Sequence, residues 1–572
     1  MKLLFRYLRP CARSMSYGLT IKVLATLLEL MLPYILSHIL DAVVPRHSVL
    51  QILLWGGVML LCAFGAYLGN VIANRNAARV ARDASRHMRH DLFEASMHLS
   101  ARQTDHFTIP SLESRLTTDT YNVYHFIGMM QRMGVRAPML LLGGMAITLF
   151  LDWRLALILL AILPLIGIAV FAIARRGLPL YKKSQQAVDG MVRVVREDCQ
   201  GVRVVKALSR EEYEKERFDQ ANLSLIDAER RAGVLMASSQ PVMSLLLHVG
   251  LSLVIGFGAI FVQGGVSAPG RIIAFMQYFT LMSTAMSVIT RIFAQYSKCM
   301  ASAGRIEEVL EAAKCAQSKE SGEESAENAP HIQFENVTFS YNGRRNNLKN
   351  VSFSLSRGGT LGVIGATGSG KSTLVQLLMR FYDTDEGRVL IDGQDVRTID
   401  EKELRARFGV ALQNDFIYAD TVSENIRFGR DISNEQMVRA ARLAQAEEFI
   451  EQFPEKYNHP LTTKGTNVSG GQRQRLLIAR ALAGDPEILI LDDASSALDY
   501  RTDANLRAAI KTQTHATTVI VAQRVSSVMH ADHILVLDEG RVLAAGKHEE
   551  LLATCSAYRE ISESQMGGAF LE

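Results

Sequence analysis

The chain has 572 residues, 48% of them hydrophobic, and a formal net charge of +4 from 62 basic and 58 acidic residues. That length exceeds what one hydrophobic core fills, and so balanced a charge gives no electrostatic case for a nucleic-acid partner. Cys11, Cys62, Cys199, Cys299, Cys315 and Cys555 are scattered without CxxC spacing, so they point to neither a zinc site nor a disulfide framework.

Four basic residues, Lys2, Arg6, Arg9 and Arg13, precede a first apolar run that is too long for a signal peptide and is broken by Lys22, Glu29 and His38. No cleaved leader is expected. Apolar runs at 19–44, 52–73, 137–151, 155–174, 234–262 and 272–290 predict six membrane-spanning helices, the third starting earlier, near Met129. The short connections near Arg46, Arg154 and Arg271 carry one arginine each, whereas the stretch 75–136 carries a ladder that includes Arg79, Arg82, Arg86 and Arg89. The bias places the N-terminal tail and the long loops 74–136 and 175–231 in the cytoplasm. Those loops show apolar residues at helical spacing, as in Val192, Val195, Cys199 and Val202, and are expected to project as helices; helices lying on the bilayer surface are the alternative.

The division expected is a helical membrane domain over 1–310, a linker over 311–330 rich in Glu, Ala and Ser, and an α/β domain over 331–572. Strands are predicted at 331–341, 351–355 and 360–364. Gly365, Ala366, Thr367, Gly368, Ser369, Gly370, Lys371 and Ser372 then fit GxxxxGK[ST], with Thr373 next and a helical pattern over 372–381. In such a loop backbone N–H groups converge on phosphate oxygens, Lys371 neutralises them and Ser372 can ligate Mg2+. A carboxylate that organises the metal is expected at a strand end, and Asp492 follows the apolar run 488–491. A P-loop nucleoside triphosphatase using ATP and Mg2+ is the reading.

Between these motifs stand Val468, Ser469, Gly470, Gly471, Gln472, Arg473, Gln474 and Arg475, a string that resembles the LSGGQ signature of ABC ATPases. The strings Ser114 to Asp119 and Gly201 to Ala207 look like those of exporter-type ABC half-transporters, so the resemblance spans nearly the whole chain. It implies an all-α polytopic membrane domain fused to an ABC ATPase with a helical signature subdomain. It also implies Tyr341 stacking on adenine, Gln413 sensing Mg2+ and the membrane domain, and Ser496 to Asp499 as the D-loop. Two such chains pair head to tail, with ATP between the phosphate loop of one and the signature of the other. Short coupling helices are then expected near 102–110 and 208–214.

Departures from the family pattern lie at the catalytic positions. Asp493 stands where hydrolysing members carry Glu to orient the attacking water, and Gln523 stands where a switch histidine is usual. Thr463 replaces a glutamate before the signature, and Val468 replaces its leucine. Asp is one methylene shorter than Glu and Gln is uncharged, so the site is expected to bind ATP and hydrolyse it slowly while its signature completes a competent site on a different partner chain. A homodimer is the alternative.

Among ionisable groups inside the spans, Glu29, His38, Asp41, His248 and Arg291 stand out, because such groups are costly in a bilayer. Phe275, Met276, Tyr278, Phe279 and Met282 of the sixth span are candidates for a pliable cargo pocket. The function expected is ATP-driven export of amphipathic or hydrophobic compounds, small-molecule or lipid, by an integral protein of a bacterial plasma membrane with both termini and the ATPase cytoplasmic. Inward transport, leaflet flipping and an ATP-gated channel subunit are competing readings.

Overall fold

Each of the six apolar runs falls in a helix long enough to cross a bilayer in the computed structural model, which describes residues 2–315, 329–413 and 415–566. These candidate spans are Leu3–Arg46, Val49–Met97, Ile109–Leu151, Trp153–Ala207, Glu211–Gln263 and Pro269–Ile289. Helices are the expected solution where lipid offers no hydrogen bonds and every backbone group must be paired within its own segment. The second and fourth run unbroken for 49 and 55 residues, so their charged extensions continue the spans. The fourth starts at Asp152, whose carboxylate accepts from Arg154 N at 3.0 Å. The third is pieced together from helices Ile109–Ser114, Thr120–Met129 and Arg136–Leu151, joined by π-helical segments Arg115–Asp119 and Met130–Gly134.

Two expectations change. The sixth helix runs Pro269–Cys315, so residues 311–315 are helical rather than linker, as strong helix formers such as Ala312 and Ala313 favour; residues 316–328 lie outside the described ones. No separate short helix forms over 208–214. Helix Trp153–Ala207 ends in a tight turn with Ser209 at φ +51°, and the next helix starts at Glu211, its first turn filled by Glu211, Glu212 and Glu214. The other short helix does form, as Ala101–Phe107.

The residues separate into two compact units, Met1–His98 with Thr108–Lys314, and Leu99–Phe107 with Cys315–Glu572. In the membrane unit, small residues let helices approach: a Cβ on Gly69 would lie 2.8 Å from that of Ala25, across the first and second spans. Leu30, Leu155, Leu159, Phe275, Tyr278, Phe279 and Met282 form a dry core, and Tyr278 Oη donates to Leu30 O at 2.6 Å. Toward the charged end, Asp119 is buried and accepts from Arg305 Nε and Ser302 Oγ, each at 2.8 Å, which ties the third helix to the sixth.

The second unit holds two sheets. An antiparallel sheet has the order β2–β1–β4–β5, made of β1 (Ile332–Phe339), β2 (Leu348–Leu355), β4 (Glu386–Ile391) and β5 (Gln394–Asp395). A six-stranded sheet has the order β10–β9–β3–β8–β7–β6, made of β3 (Thr360–Gly365), β6 (Phe408–Ala411), β7 (Ile488–Asp492), β8 (Thr517–Val521), β9 (His533–Asp538) and β10 (Arg541–Gly546). It is parallel except for β10. The β3 and β7 strands are almost wholly apolar and buried, as parallel strands covered on both faces must be. Helices Asn434–Leu443 and Gly470–Leu482 pack with Val422–Arg427 around a separate apolar core, the helical subdomain.

Candidate functional site

The phosphate-loop sequence links β3 to helix Lys371–Leu378. Glycine is required at two of its positions. A Cβ on Gly365 would lie 2.1 Å from Leu537 O, and Gly370 has φ +102° with Asn347 O only 2.7 Å from where a Cβ would be. Lys371 is 9% exposed and its Nζ donates to Gly365 O at 2.7 Å and Ala366 O at 2.8 Å, so the ammonium is held inside the loop. Burial draws its pKa down, against the pull of Asp492 and Asp493.

Asp492 ends β7 and is 5% exposed. Burial pushes its carboxyl up and Asp493 adds to this, while Ser372 and Lys371 draw it down. Asp493 takes the left-handed conformation, φ +52°, with its N–H donating to Val521 O at 2.8 Å. Burial also raises its carboxyl, against Lys371 and Arg524. Gln413 reaches it only loosely, at 3.5 Å from Nε2 to Oδ2.

These groups share one cavity of about 180 Å³, lined by Thr367, Gly368, Gly370, Lys371, Ser372, Thr373, Gln413, Asp492, Asp493 and Gln523, together with Asn347, Val521 and Ala522. Four segments far apart in sequence thus converge at the carboxyl ends of β3, β6, β7 and β8, where an open α/β sheet binds its ligands. Gly365, Ala366 and Ser369 build the loop without lining the cavity. Tyr341 stands beside it; its hydroxyl bonds Gln376 at 2.5 Å and Thr373 at 3.3 Å, and its ring meets Phe339 and Tyr382 edge-on.

Val468, Ser469, Gly470, Gly471 and Gln472 lie elsewhere, at the start of helix Gly470–Leu482. Ser469 caps that helix, accepting from Gln472 N at 3.2 Å while Gln472 Oε1 accepts from Ser469 N at 2.9 Å. Val468 is half-buried against the helical core.

Sequence reasoning passed over two connectors. Gln474 Oε1 accepts from Ala497 N at 2.9 Å and its Nε2 donates to Ser496 Oγ at 3.1 Å, joining the signature helix to the segment after Asp493. Gln565 of the last described helix, Ser556–Met566, brackets the segment at Gln523: its Nε2 donates to Gln523 O at 2.9 Å and its Oε1 accepts from Val525 N at 2.8 Å. Gln474 was legible as part of the signature string, whereas nothing local marks Gln565. In the same unit Tyr382 Oη donates to Asp105 Oδ2 at 2.5 Å, on helix Ala101–Phe107.

The membrane unit has a cavity of about 500 Å³ lined by Glu29, Leu32, Pro33, Leu251, Met276 and Gln277, with Thr280 and Leu281. Of the five sixth-span residues expected to line a pocket, only Met276 does. Phe275, Tyr278, Phe279 and Met282 recur at i, i+3, i+4 and i+7, one helix face, and that face is turned into the core. Most of the embedded ionisable groups have partners. Arg136 holds Glu29 through Nη2 to Oε1 at 2.5 Å and Nε to Oε2 at 3.1 Å, and Lys22 donates to Asn70 and Asn74 at 2.6 and 3.1 Å. Asp41 accepts from Gly270 N at 2.6 Å, and His248 Nδ1 lies 2.6 Å from Ser244 O. His38 packs on Trp55, and Arg291 is exposed.

Comparison with known proteins bears on both units. Residues 15–286 match the family described as ABC transporter transmembrane region, and residues 348–496 match that described as ABC transporter. The ABC transporter ATP-binding protein YfiB of Bacillus subtilis is 34% identical, the match covering 98% of each chain. The chain belongs to the ABC transporter family. The ABC transporter ATP-binding protein Rv1273c of Mycobacterium tuberculosis is likewise 34% identical over 98% of each chain. A solved bacterial Atm1-family ABC exporter with ATP bound superposes at a TM-score of 0.81, 25% identical, covering 98% of each chain. This ABC transporter chain is therefore an exporter-type half-transporter: an integral membrane protein that carries its membrane domain and its ATPase in one polypeptide and couples ATP hydrolysis to transport. Its family pairs it with a second ABC subunit.

Proposed function

We propose that the chain exports amphipathic or hydrophobic compounds by alternating access, as the slowly hydrolysing half of a heterodimer. The observation that carries this reading is the cavity in which Asp493 and Gln523 face the phosphate loop. Gly365, Ala366, Thr367, Gly368, Ser369 and Gly370 supply backbone donors to the ATP phosphates, Lys371 supplies charge, and Thr373 and Tyr341 flank the nucleotide. A buried carboxylate beside a hydroxyl suits a hard dication, so Ser372 and Asp492, with Gln413, hold Mg2+, which screens the phosphate charge when bound. Asp493 orients the attacking water from a shorter arm than Glu would, and Gln523 gives a neutral hydrogen bond to the terminal phosphate in place of a charged one. Val468, Ser469, Gly470, Gly471 and Gln472 serve the nucleotide of the partner chain, which carries Glu and His at the two catalytic positions.

Support for cargo of this kind comes from the mostly apolar lining of the membrane cavity beside Glu29, where Gln277 and Thr280 add further polar contacts. The basic residues of the tail and long loops favour a cytoplasmic ATPase and cytoplasmic termini in a bacterial plasma membrane. The test is ATPase turnover of the purified chain in lipid, beside the double variant Asp493→Glu with Gln523→His. Near silence in the natural chain and a rise of about tenfold or more in the double variant, about 1.4 kcal/mol of barrier, is the expected result. Ordinary pump turnover by the natural chain alone would make it a homodimeric exporter instead.

A further inference from the structure

The chemistry lining the membrane cavity beside Glu29 says what kind of head group it admits, an inference that rests on this cavity being the cargo site. At about 500 Å³ it has the size of a small-molecule site, and Leu32, Leu251, Met276 and Leu281 make most of its lining apolar. Three polar side chains remain, Glu29, Gln277 and Thr280. What each can still give a ligand follows from the hydrogen bonds it already makes.

Glu29 is balanced in charge but not exhausted as an acceptor. Arg136 binds it through Nη2 to Oε1 at 2.5 Å and Nε to Oε2 at 3.1 Å, so a guanidinium offsets the carboxylate while each oxygen keeps a lone pair. Pro33, also in the lining, has no N–H, and so leaves the main-chain carbonyl of Glu29, four residues before it, without its helical donor. Thr280 Oγ1 donates its one proton to Met276 O at 2.9 Å, after which the hydroxyl can only accept. Gln277 can do both, and among the described residues no Lys, Arg, His, Trp or Tyr lines the cavity. The other backbone N–H groups of the surrounding helices are committed to their own turns. The polar lining is rich in acceptors and nearly without donors.

We propose that the cavity selects amphiphiles whose head group donates hydrogen bonds, a primary ammonium above all, and that it selects by donor hydrogens rather than by charge. An ammonium N–H on a carboxylate is a charge-assisted hydrogen bond, and apolar surroundings strengthen it. A quaternary ammonium carries the same charge with no hydrogen to give, and the pull of Glu29 on a bare cation is offset by the Arg136 guanidinium bonded to it. An anionic head sets acceptor against acceptor and leaves both unpaired. The apolar residues take the hydrocarbon chain.

The test is equilibrium binding of three tritiated probes with the same alkyl chain, dodecylammonium, dodecyltrimethylammonium and dodecyl sulfate, to the purified full chain in nanodiscs, with empty nanodiscs as the blank. Dodecylammonium should bind about fivefold or more tightly than dodecyltrimethylammonium, and dodecyl sulfate should not exceed the blank. Thr280→Val, which keeps the shape and removes an acceptor, should weaken dodecylammonium roughly threefold, the worth of one hydrogen bond, and leave the trimethyl probe unchanged. Glu29→Gln with Arg136→Gln, whose carboxamides can pair with each other, should bring the two cations to within about twofold. Should that double variant not fold, Thr280→Val decides. Leu251→Trp, which fills the cavity, should abolish dodecylammonium binding; unchanged binding there puts the ammonium elsewhere and overturns the proposal. So does equal binding of the two cations by the natural chain, or a preference that survives Thr280→Val intact. Binding of no probe sinks the cargo reading together with this one, whereas equal binding of all three sinks only the selection by donors.

Discussion

In the nucleotide unit Lys371, Asp492 and Asp493 crowd into one small cavity and perturb one another. In the membrane unit Lys22, Glu29 and Asp41 are spread along the first span and each is matched by its own partner: two asparagines, an arginine, and a backbone amide. The first arrangement sets ionisable groups of both signs close enough to shift one another. The second gives each group its own hydrogen-bond partner, and for Glu29 an opposite charge, so that a helix can cross a bilayer. Burial alone therefore does not mark a functional group; what marks it is burial beside other ionisable groups that perturb it.

Changing one residue on each side should break the comparison in opposite ways. In the Asp493→Glu with Gln523→His background, Lys371→Ala is expected to lower ATP turnover roughly a hundredfold or more, the size of losing a preorganised charge in a dry site, with no fall in melting temperature. A proportional loss of stability would contradict this. Glu29→Ala should do the reverse, leaving Arg136 unpaired and destabilising the protein in lipid by about 2 kcal/mol, a value below that of a fully buried pair because both side chains are partly exposed. Replacing both Glu29 and Arg136 by glutamine should recover at least half of the fall in melting temperature. Equal melting of single and double variants would show that the pair is not coupled.

Two smaller effects sharpen the nucleotide side. Gln565→Ala removes both hydrogen bonds that hold the turn at Gln523 and should lower turnover about fivefold with little change in KM for ATP, the worth of about one neutral hydrogen bond. An unchanged kcat would mean that the turn holds itself. The pH profile is the subtlest. Burial raises the Asp493 carboxyl, so it stays protonated to higher pH than an ordinary aspartate, and a base works only when deprotonated. Turnover should fall with acidification at a pH above the usual carboxylate range, and the Asp493→Asn variant should lose that limb.

How far the sequence reaches follows the same division. Gly365 and Gly370 are legible because only glycine fits a loop so close to Leu537 and Asn347, and the string around Lys371 advertises that need. Asp492 is legible because an apolar strand must end where its charge begins. In the membrane unit the spans are legible from length and apolarity, yet the roles of their side chains are not. Phe275 and Met276 are neighbours of similar character, and only the packing of the sixth helix sends one into the core and the other to the cavity. Arg136 and Gln131 carry no motif, since what distinguishes them is a partner 107 residues away in one case and, among the described residues, a side chain without one in the other. The turn at 208–210 was missed because ending one helix and starting the next needs only a single residue, Ser209, at positive φ.

The cap at Ser469 has a consequence for what the signature can recognise. Its hydroxyl oxygen already accepts from Gln472 N, and the Gln472 carbonyl already accepts from Ser469 N. Each oxygen has thus spent one of its two lone pairs inside the cap, while the serine hydroxyl proton and both glutamine amide protons remain uncommitted, so the fold tilts the balance of the pair from accepting toward donating.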